Sequence, residues 1–418
     1  MRLRGDACSL TAAFLAIAVV SIATLDCRAD ELSSLMHEAP ARSSERSSER
    51  DKNAGNAVLR LQRQIESGNA KLASAGPTGY LADLLAKLQV PTSSQNLVFS
   101  KTSLQQIYIG PTQPRAIYFN DDVYVAYVVD GRLIEIAVAD PVDGTQFYMM
   151  PQSGENAGRL LQQDDNCLRC HHGGRTEGVA GHIAQSVIVG KAGEPRGIAT
   201  NNVVDHTTPL ADRWGGWYVT GTHRPAVHLG NYLSTELLPK KPTQPHEGVN
   251  LTDVSDRFDG SLYLSAESDI VAMLIREHQT RGHNLLSKVV DASFASDEEL
   301  DEAIDAFVKY VLFIDEAKLP GPIKGTTTYA DQFQRTGPRD SQGRSLRQFD
   351  LESRLLRYRC SYLIYSETFK RLPEPASQKF WKRFIETLGN RHWIKQDEAL
   401  AIEQIIRETV PDIAEQWP

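Results

Sequence analysis

Asn166-Cys167-Leu168-Arg169-Cys170-His171 restricts this 418-residue chain more than any other stretch. It reads C-x-x-C-H, two thiols two residues apart with an imidazole directly after the second. That is the attachment signature of a c-type haem. The spacing has a chemical reason. Each thiol adds to one vinyl group of the macrocycle, and the adjacent imidazole is then held under the iron as the proximal ligand. The other uses of a C-x-x-C pair need company that the sequence does not supply. A thioredoxin-like redox pair sits at a strand-to-helix junction of a βαβ unit, and no such unit is legible here. A zinc knuckle needs a second Cys or His pair at short spacing, and none follows. The expectation is one covalent haem c on Cys167 and Cys170, with His171 as proximal ligand.

The N-terminus supports this expectation independently. Arg2 and Arg4 precede an apolar, small-residue run from Leu10 to Leu25, and Cys27-Arg28-Ala29 offers small residues for a cut after Ala29. This is the layout of a secretory signal peptide. Covalent haem attachment takes place outside the cytoplasm, so the two features belong together, and a periplasmic or otherwise exported protein is expected. With Cys8 and Cys27 removed, three cysteines remain, Cys167, Cys170 and Cys360. Three in so long a chain make no disulfide framework. No later apolar run reaches the ~18–20 residues that span a bilayer. The net charge is −8, and a nucleic-acid surface needs a basic stripe, so that class of partner is excluded.

The organisation follows from period and punctuation. Residues 1–29 read as the signal and 30–56 as a disordered linker, polar and with SSER repeated at 43–50. Residues 57–73 and 80–89 read as short helices. From 97 to 150 the period becomes that of strands, at 97–99, 106–109, 116–119, 123–129, 133–138 and 146–150. Asp130-Gly131 predicts a hairpin, and Asp140-Pro141 with Asp143-Gly144 a second turn. Residues 173–235 are rich in Gly, His and Trp, with strands expected at 184–189 and 217–220. Beyond them the pattern turns helical, over 267–290, 297–316, 351–371, 375–388 and 395–409. Ser296 with Glu299 suggests a capping box, and 321–349 reads as a loop. The fold class expected is α+β. An antiparallel β meander carries the haem within 57–260, and an α-helical domain occupies 261–418.

The sixth iron position is the open mechanistic question. No Met lies between Cys170 and Met273, and Met149 and Met150 at a strand end read as core filler. Histidines are the better candidates for a distal ligand, in the order His206, His223, His228. His206 opens the turn Asp205-His206-Thr207-Thr208-Pro209. A satisfied core histidine is the commoner fate of any one of them. His278 and His283 are five apart, so they do not share a helix face. Arg213-Trp214-Gly215-Gly216-Trp217 could line a haem pocket, with Arg213 on a propionate and Trp214 and Trp217 against the ring. The same run also reads as a strand entering a core through a glycine turn. Cys360 reads as a buried thiol on a helix. No catalytic residue is assignable.

Several stretches resemble a family of exported bacterial mono-haem c-type cytochrome proteins. They are PTSSQNLVFSKTSLQ at 91–105, PRAIYFNDDVYV at 114–125, CLRCH at 167–171, HTTPLADRWGGWYVTGTH at 206–223, EHQTRGHNLL at 277–286 and CSYLIYSETF at 360–369. The family pattern has Gly after the histidine matching His223, whereas Arg224 stands here. The resemblance implies a periplasmic haem protein. Electron transfer to a redox partner protein is the first expectation, and two axial histidines would give a lower potential than a His/Met pair. The alternatives are a peroxidase-like haem enzyme, with His206 and Arg213 on the distal side, or a small-ligand sensor with an open sixth position.

Overall fold

Side chains that alternate between two apolar faces build the sheet that positions everything else. Its strands are β1 (Asn96–Val98), β2 (Arg115–Phe119), β3 (Val123–Tyr127), β4 (Leu133–Asp140), β5 (Gly144–Pro151) and β6 (Leu161–Gln162). They pair in chain order, each antiparallel to the next. In the computed structural model, residues 55–140, 143–163, 165–196, 203–411, 413 and 417 are described. All of these belong to one unit, Ala39–Pro418. The expected signal at 1–29 and most of the expected linker at 30–56 lie outside the described residues.

Both faces of the sheet are covered, which is why its strands carry apolar residues at nearly every position. Ala116, Tyr118, Val123, Val125, Tyr127, Ile134 and Ile136 pack on one side with helices α1 (Ala57–Glu66) and α2 (Leu81–Lys87). Phe119 and Tyr124 point the other way, into a core shared with Trp214, Trp217 and the first turns of α4 (Ile270–Ala292). The far end of α4, from Leu285 to Val290, enters a third core. That core is built by α5 (Asp297–Val311), α8 (Glu374–Leu388) and α9 (Gln396–Thr409). The remaining helices are α3 (Asp165–His171), α6 (Tyr329–Arg335) and α7 (Glu367–Lys370). The fold is α+β, with the longer helices in the C-terminal part. Among the described residues no helix is long and apolar enough to cross a membrane.

The α4 helix is buried on all sides over most of its length, including Arg276, Glu277, His278, Gln279, Thr280, His283 and Asn284. Its start is capped by Asp269, whose carboxylate accepts from Val271 and Ala272 N–H. The capping box of Ser296 and Glu299 forms at the start of α5. Four expectations change. Residues 106–108 form a 3-10 turn, not a strand, with Ile107 exposed; the chain leaves the sheet here because the Gln105 side chain bonds the backbone of Leu133 instead. Of the strand expected at 184–189 only Val189 belongs to one, β7 (Val189–Gly190), and 217–220 forms only isolated bridges at Trp217 and Thr220, with β8 (Gly221–Thr222) following it. The expected loop at 321–349 contains α6. The expected helix at 351–371 is mostly bends, because Asp350 Oδ1 accepts from the N–H groups of Glu352, Ser353 and Arg354 and Leu351 takes a φ of 55°. Such local side-chain bonds compete with the helix ladder. Cys360 is therefore not helical, although it is fully buried, and burial pushes its thiol well above the usual range.

Candidate cofactor-attachment site

The C-x-x-C-H residues end the short helix α3. Cys167 and His171 are four apart and share a face; both are half-buried, whereas Cys170 is exposed. Neither cysteine is in a disulfide. His171 Nδ1 lies 2.9 Å from the carbonyl oxygen of Gly181. A carbonyl only accepts, so Nδ1 carries the proton and Nε2 keeps its lone pair. The Phe147 ring packs 4.9 Å from the imidazole, centroid to centroid. Burial holds the His171 pKa below its ordinary value, so the ring is neutral at pH 7. A metal-binding histidine usually donates its second N–H to a carbonyl or carboxylate in this way.

Gly181 is fixed from two sides. Its N–H donates to the His171 carbonyl at 2.9 Å. A Cβ placed on it would stand 2.4 Å from Asn284 Oδ1 and 2.9 Å from Thr176 Cβ, so a larger residue would force the loop away from α4. Asn284 then clamps the next residue, accepting from His182 N–H and donating to its carbonyl, each at 2.8 Å. Glu177, at φ 59°, is tied to Arg281 at 3.0 Å, and Arg281 reaches Asp205 at 2.6 Å. Burial alone would raise the Asp205 pKa, but His206, Thr207 and Arg281 outweigh it and hold the acid at about 2. Helix α4 thus anchors the loop that follows the thiols.

The donor set fits a c-type haem. Cys167 and Cys170 would carry the thioether bonds, and His171 Nε2 would face the iron. Among the described residues no group of three His, Cys, Asp or Glu side chains could hold a bare metal ion.

The three distal candidates lie elsewhere, His206 against His278 of α4 and His223 and His228 against each other. His206 is fully buried, with Nδ1 2.8 Å from Nδ1 of His278. His278 Nε2 is 2.7 Å from Ser361 Oγ, and the Tyr310 and Phe313 rings flank His206. Burial drives the His206 pKa down to about 3. His223 and His228 pack edge to face at 5.2 Å. His223 Nδ1 bonds the Arg224 carbonyl at 2.6 Å, and His228 Nδ1 accepts from Gly230 N–H at 3.0 Å. The helix acts as a ruler. Ile270 N–H bonds the Thr220 carbonyl, whereas Asn284 holds His182, and fourteen residues of helix separate these contacts by about 21 Å. Among the described residues no hydrogen bond or ring contact joins His171 to His206, His223 or His228.

Of the proposed pocket residues, Arg213 and Trp217 have their polar groups engaged elsewhere, whereas Trp214 Nε1 is buried without a partner. Arg213 is buried, donating to the carbonyls of Thr208 and His206 and lying 3.4 Å from Glu277. Trp214 is fully buried at φ 69° beside His228. Trp217 donates to the Gln185 carbonyl at 2.7 Å, and Arg276 lies over its ring at 4.1 Å. The two glycines between the tryptophans allow close crossing of backbone. A Cβ on Gly215 would stand 2.6 Å from the Val187 carbonyl, and one on Gly216 2.6 Å from Ser100 Cβ.

Sequence reasoning missed Gly181 and Asn284. A glycine accepting from a histidine ten residues back leaves no local pattern, and Asn284 acts across 102 residues. No protein-family model, curated protein or solved structure matches this chain.

Proposed function

We propose that this chain is an exported, mono-haem c-type protein that carries electrons, as its resemblance to exported mono-haem proteins implies. The observation that carries the reading is the His171 ring, neutral and with its Nδ1 proton spent on Gly181. Its Nε2 lone pair is thereby left available as a metal ligand or hydrogen-bond acceptor. When bound, haem supplies one-electron chemistry at its iron. The chain's own residues do the rest. Cys167 and Cys170 hold the group covalently. His171 is locked against rotation by Gly181 and Phe147, which lowers the reorganisation needed on electron exchange. The exposure of Cys170 keeps the attachment site within reach of a redox partner protein.

A second reading has one observation in its favour. His206 is held against His278 and Tyr310, and His228 against Trp214 and His223, which suits an open sixth position and a small-ligand-binding haem.

One experiment separates the readings. The protein is expressed in a host with c-type haem maturation, and its reduced spectrum is recorded with and without CO. A low-spin spectrum unmoved by CO supports a sixth protein ligand and electron transfer. A high-spin spectrum that shifts with CO supports the open site. If no pigment remains attached after denaturation, haem attachment is wrong. The Cys167→Ser/Cys170→Ser double variant is expected to lose all covalently retained pigment.

A further inference from the structure

The sheet leaves part of one face without a core. Phe119 and Tyr124 begin a row that the strand register continues through Ala137 to Phe147. Two residues along each strand, on the same side, the next row is Ile117, Ala126, Glu135, Met149 and Leu161. Phe119 and Tyr124 are covered by the core around Trp214 and α4. Phe147 and Met149, although buried, belong to none of the three cores. Phe147 packs on His171 instead, and Met149 stands about 7 Å further along β5. Ile117, Glu135 and Leu161 are half-buried. Apolar surface that the fold leaves uncovered marks a binding surface.

One charged pair stands on this ledge. Arg115, two residues from Ile117 and on the same side of β2, is bonded through Nη2 to Glu135, and both side chains are partly open to solvent. Glu135 also accepts from Gln105 Nε2 at 3.0 Å, and Ile107, two residues after Gln105, is 57% exposed. Among the described residues Arg115 donates to nothing else, so most of its five-donor fork is unused. Burial is the main reason that the His171 pKa lies below its ordinary value; Arg115 and Arg175 lower it further and Glu135 raises it, so the pair acts on the imidazole. The orientation of the ring agrees. Nδ1 is turned to Gly181, which Asn284 backs from α4, so Nε2, at the other edge of the ring, is turned away from that helix. Arg213, the guanidinium expected on a propionate, is enclosed by Glu277 and two carbonyls.

A haem combines a flat apolar ring with two carboxylates, and the ledge offers an apolar row with one accessible guanidinium. We propose that the ring lies against the row of Ile117, Met149 and Leu161 and that Arg115 binds a haem propionate. This rests on haem attachment at Cys167 and Cys170 and goes beyond it by naming the wall that receives the group.

The test uses the full chain matured with haem, labelled at its Ile and Met methyl groups and reduced under CO, which makes the iron diamagnetic. Nuclear Overhauser contacts from haem protons to the methyls of Ile117 and Met149 are expected. Their absence overturns the proposal. Resonance Raman spectra then read the propionates directly. The propionate bending mode is expected to shift in Arg115→Met and in Arg115→Met/Glu135→Gln, and to stay in Glu135→Gln. A mode unmoved by the loss of Arg115 overturns the propionate contact and leaves the guanidinium a partner of Glu135 alone. Circular dichroism checks that each variant is folded. If Arg115→Met is not, the Overhauser contacts of the unsubstituted protein decide. A chain that retains no pigment after denaturation overturns this inference together with the function proposed above. Covalent pigment without contacts to Ile117 and Met149 overturns this inference alone.

Discussion

Arg213 and Glu277 face each other with side chains 2% and 1% exposed. Burial pushes the Glu277 pKa up to about 7, against the attraction of Arg213 and Arg276. The separation of 3.4 Å is long for a charge-assisted bond, consistent with a carboxyl reluctant to ionise. Arg213 also satisfies two buried carbonyls, so removing it uncovers three groups at once. Arg213→Met is expected to cost about 3–5 kcal/mol of stability, read from the urea midpoint at unchanged m-value. A loss below about 1 kcal/mol would mean that the guanidinium is not structural. At His171, the proposed proximal ligand, the expectation differs in kind and rests on the proposed haem attachment. His171→Ala should keep the pigment covalently bound through Cys167 and Cys170 but change its spin state, visible in the absorption spectrum of the folded protein.

Among the elements, α4 has the largest part. It packs on the sheet at one end and on α5 at the other, and between them it presents polar side chains to three separate clusters. Asn284 shows how such a helix holds a loop it never meets in sequence. Asn284→Ala would leave the N–H and C=O of His182 unpaired in the interior, at about 1–3 kcal/mol each. A destabilisation near 3 kcal/mol is expected by urea titration, together with faster amide exchange at His182. Ser296, which caps α5 at the surface, is expected to cost only about 1 kcal/mol when replaced by Ala. Thermal unfolding of the two variants side by side should reproduce that order.

The whole molecule carries an unusual set of buried titratable groups. Burial lowers the pKa values of His182, His206, His228, His278 and His283, to about 3 for His206 and His228. In the unfolded chain these imidazoles take up protons below about 6.5, whereas in the folded state they do not, so stability falls as pH drops from about 6.5. Burial raises Asp122, Glu277 and Glu316 to about 7. Those acids keep protons that the unfolded chain releases, so their contribution is lost as pH rises from about 4 to 7. Five imidazoles outweigh three carboxyls between about pH 4.5 and 6.5, and above that the acids act alone. Stability is therefore expected to peak near pH 6.5 and to fall more steeply on the acid side. Urea midpoints from pH 4 to 8 check this, and a midpoint that rises steadily towards pH 4 would contradict it.

The meander and most of the longer helices were legible because their causes are local. Alternating β-branched runs, the turns between them and the Ser296–Glu299 box act over a few residues. The 351–371 segment was misread because one carboxylate, Asp350, outbids the helix ladder there, and apolar periodicity carries no trace of that competition. C-x-x-C-H is likewise local, so the chain could name its candidate attachment residues unaided. Side-chain neighbours are not local. Whether His206 meets iron or His278, and whether Arg213 meets a propionate or Glu277, depends on how α4 lies against loops 70 or more residues away. Burial then sets which imidazole lone pairs stay unclaimed. The sequence by itself determined the order of most elements and named the two thiols proposed for covalent attachment. Only the tertiary structure decided the company each histidine keeps, because that company is set by long-range packing on one buried helix.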